Sequence, residues 1–179
     1  MRIVCAGSPA ATIASLEAVQ ASHHELVGVI SQPARPVGRK RIVTETPVSR
    51  WAAERGIAVE TPETSSELHR VLTDWSPDLA VAIAYGRLIR AEELTIPRYG
   101  WWNVHFSLLP KYRGAAPVQH ALLKGERTTG VTVFELDSGL DTGPIINQAS
   151  HSIEPFHSAG QLLEELAHLG AWLLAQSLD

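Results

Sequence analysis

Apolar positions along this chain follow two rhythms, and their alternation outlines the architecture. Short, almost unbroken apolar runs, such as Ile3-Val4-Cys5-Ala6 before Gly7, read as strands buried on both faces. On that basis strands are predicted at Arg2–Gly7, Glu25–Ile30, Ile57–Val59, Asp78–Ala84, Gly100–Phe106 and Gly130–Leu136, with a last, antiparallel one at Pro144–Ile153. Between them the apolar spacing lengthens to that of a helix. Leu68, Val71, Leu72 and Trp75 share one face of a helix predicted over Ser65–Trp75. Further helices are predicted from Pro9 to about Ala21, from Pro47 to a stop at Gly56, over a short stretch near Leu88–Leu94, and at Ala115–Leu123. A closing helix over Ser158–Ser177 should bury Leu162, Leu163, Leu166, Leu169, Leu173 and Leu174. Residues 32–46 hold Pro and Gly breakers and read as an exposed loop. This β-α alternation predicts a doubly wound, mainly parallel α/β sheet with helices on both faces and Asp78–Ala84 at its centre. Only Gly7 follows the first strand, so the three-glycine loop of a dinucleotide site is missing.

With 179 residues and 45% hydrophobic content, the chain can build one domain with a substantial core. The single cysteine, Cys5, sits within the first apolar run and is expected to pack as a small hydrophobe. The lack of a disulfide framework fits a reducing cytoplasm. No apolar stretch approaches a membrane span, and the N-terminus lacks a signal peptide's apolar segment. The net charge of −4 hides an asymmetry. Residues 33–55 carry Arg35, Arg39, Lys40, Arg41, Arg50 and Arg55 against two glutamates, whereas residues 135–179 carry seven acidic groups and no Lys or Arg. That balance excludes a general nucleic-acid coat but allows one local phosphate-contacting loop.

The candidate chemistry lies in Asn103-Val104-His105 and in Asp141 of Gly139-Leu140-Asp141-Thr142-Gly143. Two residues apart on a strand, the amide and the imidazole project the same way. A carboxylate from a glycine-bounded loop can orient that imidazole. The three groups suit acyl transfer to an amine: a donor for a developing oxyanion, a proton-transfer group and an anion to bias it. Ser107 lacks the surroundings of a nucleophile and reads as a loop hydrogen-bonder. His23 and His24, expected on opposite faces of a strand, have no Cys or carboxylate pattern joining them, so no metal site is expected.

The run Asn-Val-His-Phe-Ser-Leu-Leu-Pro-Lys-Tyr-Arg-Gly-Ala-Ala-Pro-Val-Gln, followed by Leu-Asp-Thr-Gly, closely resembles the folate-dependent formyltransferases. The loop Gln-Pro-Ala-Arg-Pro-Val-Gly-Arg and the run Arg-Gly-Ala-Ala-Pro-Val-Gln resemble the branch that formylates methionyl-tRNA. The resemblance covers nearly the whole chain. It implies a Rossmann-like formyltransferase catalytic domain over 1–179, with the C-terminal β-barrel domain of the tRNA enzymes absent from this chain. It also implies transfer of a formyl group from 10-formyltetrahydrofolate to the α-amine of initiator methionyl-tRNA, with Asn103, His105 and Asp141 catalytic and no metal. By the same resemblance the folate would meet Tyr85, Gly86, Leu88, Ile89, Ser107, Leu108, Leu109, Pro110, Asp137, Ser138, Gly139 and Leu140. Acceptor-stem phosphates would meet Arg35, Arg39, Lys40 and Arg41. Nothing in the sequence indicates a membrane or a protein partner. Two alternatives remain open: the same chemistry on an amino sugar nucleotide or another small amine, and a non-catalytic tRNA-binding module.

Overall fold

The computed structural model of the chain describes residues 1–179. Seven strands form the main sheet: β1 (Arg2–Gly7), β2 (Glu25–Ile30), β5 (Val59–Glu60), β6 (Leu79–Ile83), β7 (Trp101–His105), β8 (Thr128–Glu135) and β9 (Ile145–Ser152). Their spatial order is β5-β2-β1-β6-β7-β8-β9. The first five run parallel; β8 lies antiparallel to β7, and β9 antiparallel to β8. Chain order proceeds outward from β1 on both sides, so the sheet reverses winding between β1 and β6. At such a reversal the connecting loops diverge and leave a crevice beyond the strands' carboxyl ends.

Helices cover both faces. On one side α1 (Ile13–Ala21), α2 (Pro47–Glu54), α5 (Pro117–Leu123) and α6 (Ala159–Leu178) enclose the larger core. On the other, α3 (Ser65–Trp75) and the single-turn α4 (Ala91–Leu94) cover a smaller one built on Val4, Ala6, Ala80, Ala82 and Trp101. The 20-residue α6 buries Leu162, Leu166, Leu173 and Leu174, each worth roughly 1.5–3 kcal/mol of transfer free energy. Leu163 and Leu169, expected inside, are half-buried at the edge of that face. At Gly170 the helix approaches β7 so closely that an added Cβ would lie 2.8 Å from Val104 Cγ1. Both α3 and α6 begin with capping boxes, Thr64 with Glu67 and Ser158 with Gln161. The two backbone N–H groups bonded to Glu67, of Glu63 and Thr64, hold its carboxyl below the usual range.

Several sequence expectations shift, two of them near the site. Residues 32–46 are not a plain loop: β3 (Arg35–Val37) and β4 (Ile42–Thr44) pair as an antiparallel hairpin around a turn at 38–41. The hairpin escapes a periodicity reading because neither face is covered, with Val37, Ile42 and Val43 all exposed. The helix expected from Ala115 begins instead at Pro117, because Ala116 takes left-handed geometry with φ 58°. Cys5 is fully buried as expected, and burial pushes its thiol up to about 12. No helix is long and apolar enough to cross a membrane.

Candidate active site

Strand β7 sets the site because it divides its side chains between two environments. Val104 packs into the larger core beneath α6, while Asn103 and His105 emerge on the opposite face into a cavity of about 570 Å³. Ala82, Tyr85, Leu88 and Ile89, Leu136, Asp137, Gly139, Leu140 and Asp141, and Gly114 to Pro117 line the same space. The amide, imidazole and carboxylate picked out in the sequence therefore share one cavity.

Within it, His105 is only 7% exposed, and its ring meets the edge of Phe134 with centroids 6.4 Å apart. His105 Nε2 lies 2.9 Å from the carbonyl oxygen of Tyr112. A carbonyl only accepts, so Nε2 carries the hydrogen and Nδ1 is left for the cavity. Nδ1 in turn faces Asp141 Oδ2 at 3.6 Å. That same oxygen accepts the Gly114 N–H at 2.6 Å, which fixes the carboxylate. Asp137, the neighbouring acid, is occupied differently: it accepts from Gly139 N–H and the Thr142 hydroxyl and so closes its own loop.

Of the residues expected around a folate, Tyr85, Gly86, Leu88, Ile89, Asp137, Gly139 and Leu140 line the cavity. Ser107, Leu108, Leu109, Pro110 and Ser138 lie beside that lining, in the turn after β7 and in the loop before Asp141. Ser107 is fully buried and its hydroxyl donates to the Lys111 carbonyl; Leu109 is buried as well. Leu108 reaches towards Gly130, Pro110 sits outside on a cis peptide bond, and Ser138 is exposed off the lining. Ser107 to Pro110 build the turn that carries Tyr112 and Gly114. Not singled out in the sequence as site residues were Ala82, Leu94, Phe106, Leu136 and Ala115 to Pro117, whose side chains carry no pattern of their own. The Tyr85 hydroxyl is buried without a hydrogen-bond partner, and burial raises its pKa against the opposing pull of Arg87.

A second cavity of about 550 Å³ opens beside the first and shares Gly86 and Arg87 with it. Its walls are polar, including Ser8, Gln32, Arg35, Thr44, Thr46 and Glu63. Arg35 thus lies in a cavity wall, while Arg39, Lys40 and Arg41 stand exposed at the hairpin turn above. Elsewhere, His23 and His24 lie in the turn before β2 rather than on it, and a carboxylate does join them. Asp179 brings its ligand-type oxygen within 4.8 Å of theirs. Both nitrogens of His24 are already engaged, by the Met1 ammonium at 3.2 Å and the Leu178 carbonyl at 3.3 Å.

An open α/β sheet with paired cavities at its winding reversal, one of them holding an amide, an imidazole and a carboxylate, has the architecture of a small-molecule-binding α/β protein. Comparison with known proteins narrows that class. The chain belongs to the formyl transferase family, whose sequence pattern matches residues 1–178. It is 50% identical over 182 residues to the methionyl-tRNA formyltransferase of Salinispora tropica and 47% identical to that of Thermobifida fusca. All of this chain is matched in both cases, but it spans only 59% and 58% of those proteins. Among solved structures, phosphoribosylglycinamide formyltransferase from Bacillus halodurans superimposes with a TM-score of 0.84 at 23% identity, covering 99% of this chain and 93% of that one. A formyltetrahydrofolate deformylase from Pseudomonas syringae pv. tomato gives 0.80 at 20% identity, covering 99% and 59%. At those identities the likeness concerns the fold.

Proposed function

We propose that this chain carries the catalytic site of a methionyl-tRNA formyltransferase, moving a formyl group from 10-formyltetrahydrofolate to the α-amine of initiator methionyl-tRNA in the cytoplasm. One observation carries the reading: Asn103, His105 and Asp141 meet in a cavity that adjoins a second, polar one beneath a basic hairpin. The first cavity suits a folate. Its volume is in the range of small-molecule sites, its lining is largely apolar, and Leu88 and Leu140 expose their side chains at its rim. The second suits the aminoacyl end of the acceptor, with Arg39, Lys40 and Arg41 placed to meet phosphates and add a salt-dependent contribution to affinity.

In this mechanism the neutral amine attacks the formyl carbon, a C–N bond forms, and the carbonyl oxygen becomes an oxyanion. The Asn103 amide donates to that oxygen. His105 has committed Nε2–H to Tyr112, so its donor to the oxyanion is Nδ1–H of the imidazolium, which the Asp141 carboxylate stabilises from 3.6 Å. The bond from carbon to N10 then breaks. The proton lost by the amine passes through the His105–Asp141 pair to N10, releasing tetrahydrofolate. All bond changes fall within the two substrates, so no enzymic nucleophile takes part.

The test is to mix the protein with 10-formyltetrahydrofolate and methionyl-tRNA and to follow formyl-methionyl-tRNA by acid gel or mass spectrometry. Single replacement of Asn103, His105 or Asp141 should cut turnover by roughly 10²–10³. Replacing Arg39 should raise the tRNA requirement and flatten its salt dependence. Formylation confined to a sugar nucleotide or another small amine would overturn the assignment of acceptor. Binding of tRNA without any turnover would overturn the enzymatic reading altogether.

A further inference from the structure

We propose that Tyr112 and Glu126, both outside the reaction cavity, are positioning residues that set the tautomer and orientation of His105. The inference rests on the formyl-transfer reading for its kinetic arm only.

Tyr112 holds an unusual backbone. Its φ of 56° lies in the left-handed region, where a non-glycine residue costs roughly 1–2 kcal/mol. Glycine would adopt that conformation freely, so the tyrosine side chain is the feature to explain. Its hydroxyl donates to Glu126 Oε1 at 2.8 Å, and Lys111 Nζ reaches the same oxygen at 3.0 Å. The phenol ring also stacks on His120, with centroids 6.3 Å apart and planes 8° from parallel. Glu126 is itself fixed, its backbone N–H donating to the Ala121 carbonyl at the end of α5. The bond to Glu126 raises the phenol's pKa and lowers that of the carboxyl, as expected for a neutral donor on an ionised acceptor.

The consequence reaches the cavity through two backbone groups. Rotating the peptide at Tyr112 turns its carbonyl, the group that claims His105 Nε2–H. Two residues on, the Gly114 N–H holds Asp141 Oδ2. One turn therefore orients both members of the pair, and the phenol–carboxylate bond pins that turn against α5 from the outside. Without the pin, the turn relaxes towards ordinary geometry, the Tyr112 carbonyl swings away, and His105 can place its proton on Nδ1 in the neutral ring. That state faces Asp141 with a different charge distribution and a free, undirected Nε2.

The experiment uses the chain as it stands, with ¹⁵N-labelled histidine. In the parent protein, long-range ¹H–¹⁵N spectra should show neutral His105 as a single Nε2–H tautomer. Tyr112→Phe keeps the ring and its stacking but removes the donor; it should yield a mixture of tautomers and a roughly ten- to hundredfold fall in kcat, with KM for the folate little changed. Glu126→Ala should reproduce Tyr112→Phe, whereas Glu126→Gln, which keeps an acceptor oxygen, should fall between. A parent-like His105 spectrum in Tyr112→Phe and Glu126→Ala would overturn the inference. If Tyr112→Phe fails to fold, Glu126→Ala and Glu126→Gln decide the matter by the same spectra. Shifted spectra in the variants, together with a parent chain that transfers no formyl group, would leave the positioning inference standing and sink the functional reading instead.

Discussion

Thr132 offers the sharpest test of how the turn after β7 is held. It lies on β8 opposite His105, and its hydroxyl is fully buried. That single oxygen donates to the Ser107 carbonyl at 2.7 Å and accepts from Leu109 N–H at 3.1 Å and from Gln148 Nε2 at 2.9 Å. Thr132→Val preserves the shape and removes all three bonds. Gln148 keeps its contact with the Leu109 carbonyl, so two backbone groups, the Ser107 C=O and the Leu109 N–H, lose a buried partner. A buried group left without a partner costs about 1–3 kcal/mol, so the pair should cost roughly 2–6 kcal/mol, less a few tenths for the added methyl. For a chain of this length each kcal/mol moves the melting point by about 2–4 °C, which gives a fall of about 8–16 °C for a mid-range loss of 4 kcal/mol. Thermal unfolding followed by circular dichroism measures it. Thr129→Val, at another buried threonine on the same strand outside this network, serves as the control. A Thr132→Val midpoint within about 2 °C of the parent would refute the claim that this hydroxyl braces the turn.

Two further predictions follow from groups away from the cavity. Glu165 accepts from His151 at 2.6 Å and from His157 at 3.2 Å, and the His151 hydrogen bond above all holds its carboxyl below the usual range. A depressed folded-state value means that the unfolded chain binds more protons. The stability it contributes is therefore present above about pH 4.3 and is lost as pH falls through the folded value. Glu165→Gln should flatten the acid limb of a melting-temperature profile below about pH 5, and an unaltered limb would count against it. For Cys5, a thiol pushed up to about 12 is about one part in ten thousand thiolate at pH 8. Ellman's reagent should leave the folded protein untouched and react with one thiol per chain in urea; prompt labelling without denaturant would contradict the burial.

What the sequence made legible was whatever one face or one short interval could encode. The amphipathic period of Ser65–Trp75 and the apolar run at Leu79–Ile83 produced elements close to those observed, because burial dictates residue type at every position there. The alternation on β7 likewise places Asn103 and His105 on one side. The hairpin around 38–41 was missed because both its faces meet solvent, leaving backbone pairing as its main organiser. The bonding inside the turn at Ser107 to Pro110 was hidden for a related reason. A serine bonded to a carbonyl inside a turn has the same composition as one lining a cavity, and only the path of the chain separates them. Tyr112 was illegible as well, since nothing in Lys-Tyr-Arg announces a left-handed backbone or a distant glutamate partner.

The path taken by Asp141 carries one more consequence. Because β8 runs antiparallel to β7, it ends opposite Trp102, at the amino end of β7 and away from His105. Asp141 thus reaches His105 from the far end of the strand, slung back across the face of the sheet rather than rising from the carboxyl edge. What fixes its return is Gly143, two residues later, which is buried against the Glu135 backbone. An added Cβ would collide with the Glu135 carbonyl oxygen and lie 3.0 Å from its carbon, and neither can yield as a side-chain tip would. The Glu135 N–H is bonded to the Pro144 carbonyl, so the loop cannot lift without breaking that ladder. Gly143→Ala should therefore cost roughly 1–3 kcal/mol of stability by overpacking. Its larger effect should be on turnover, because a shift of about 1 Å in Asp141 can cost on the order of a hundredfold. Melting and single-turnover formyl transfer, measured on the same sample, separate the two effects. A variant that transferred formyl at the parent rate would show that the carboxylate does not depend on this anchor.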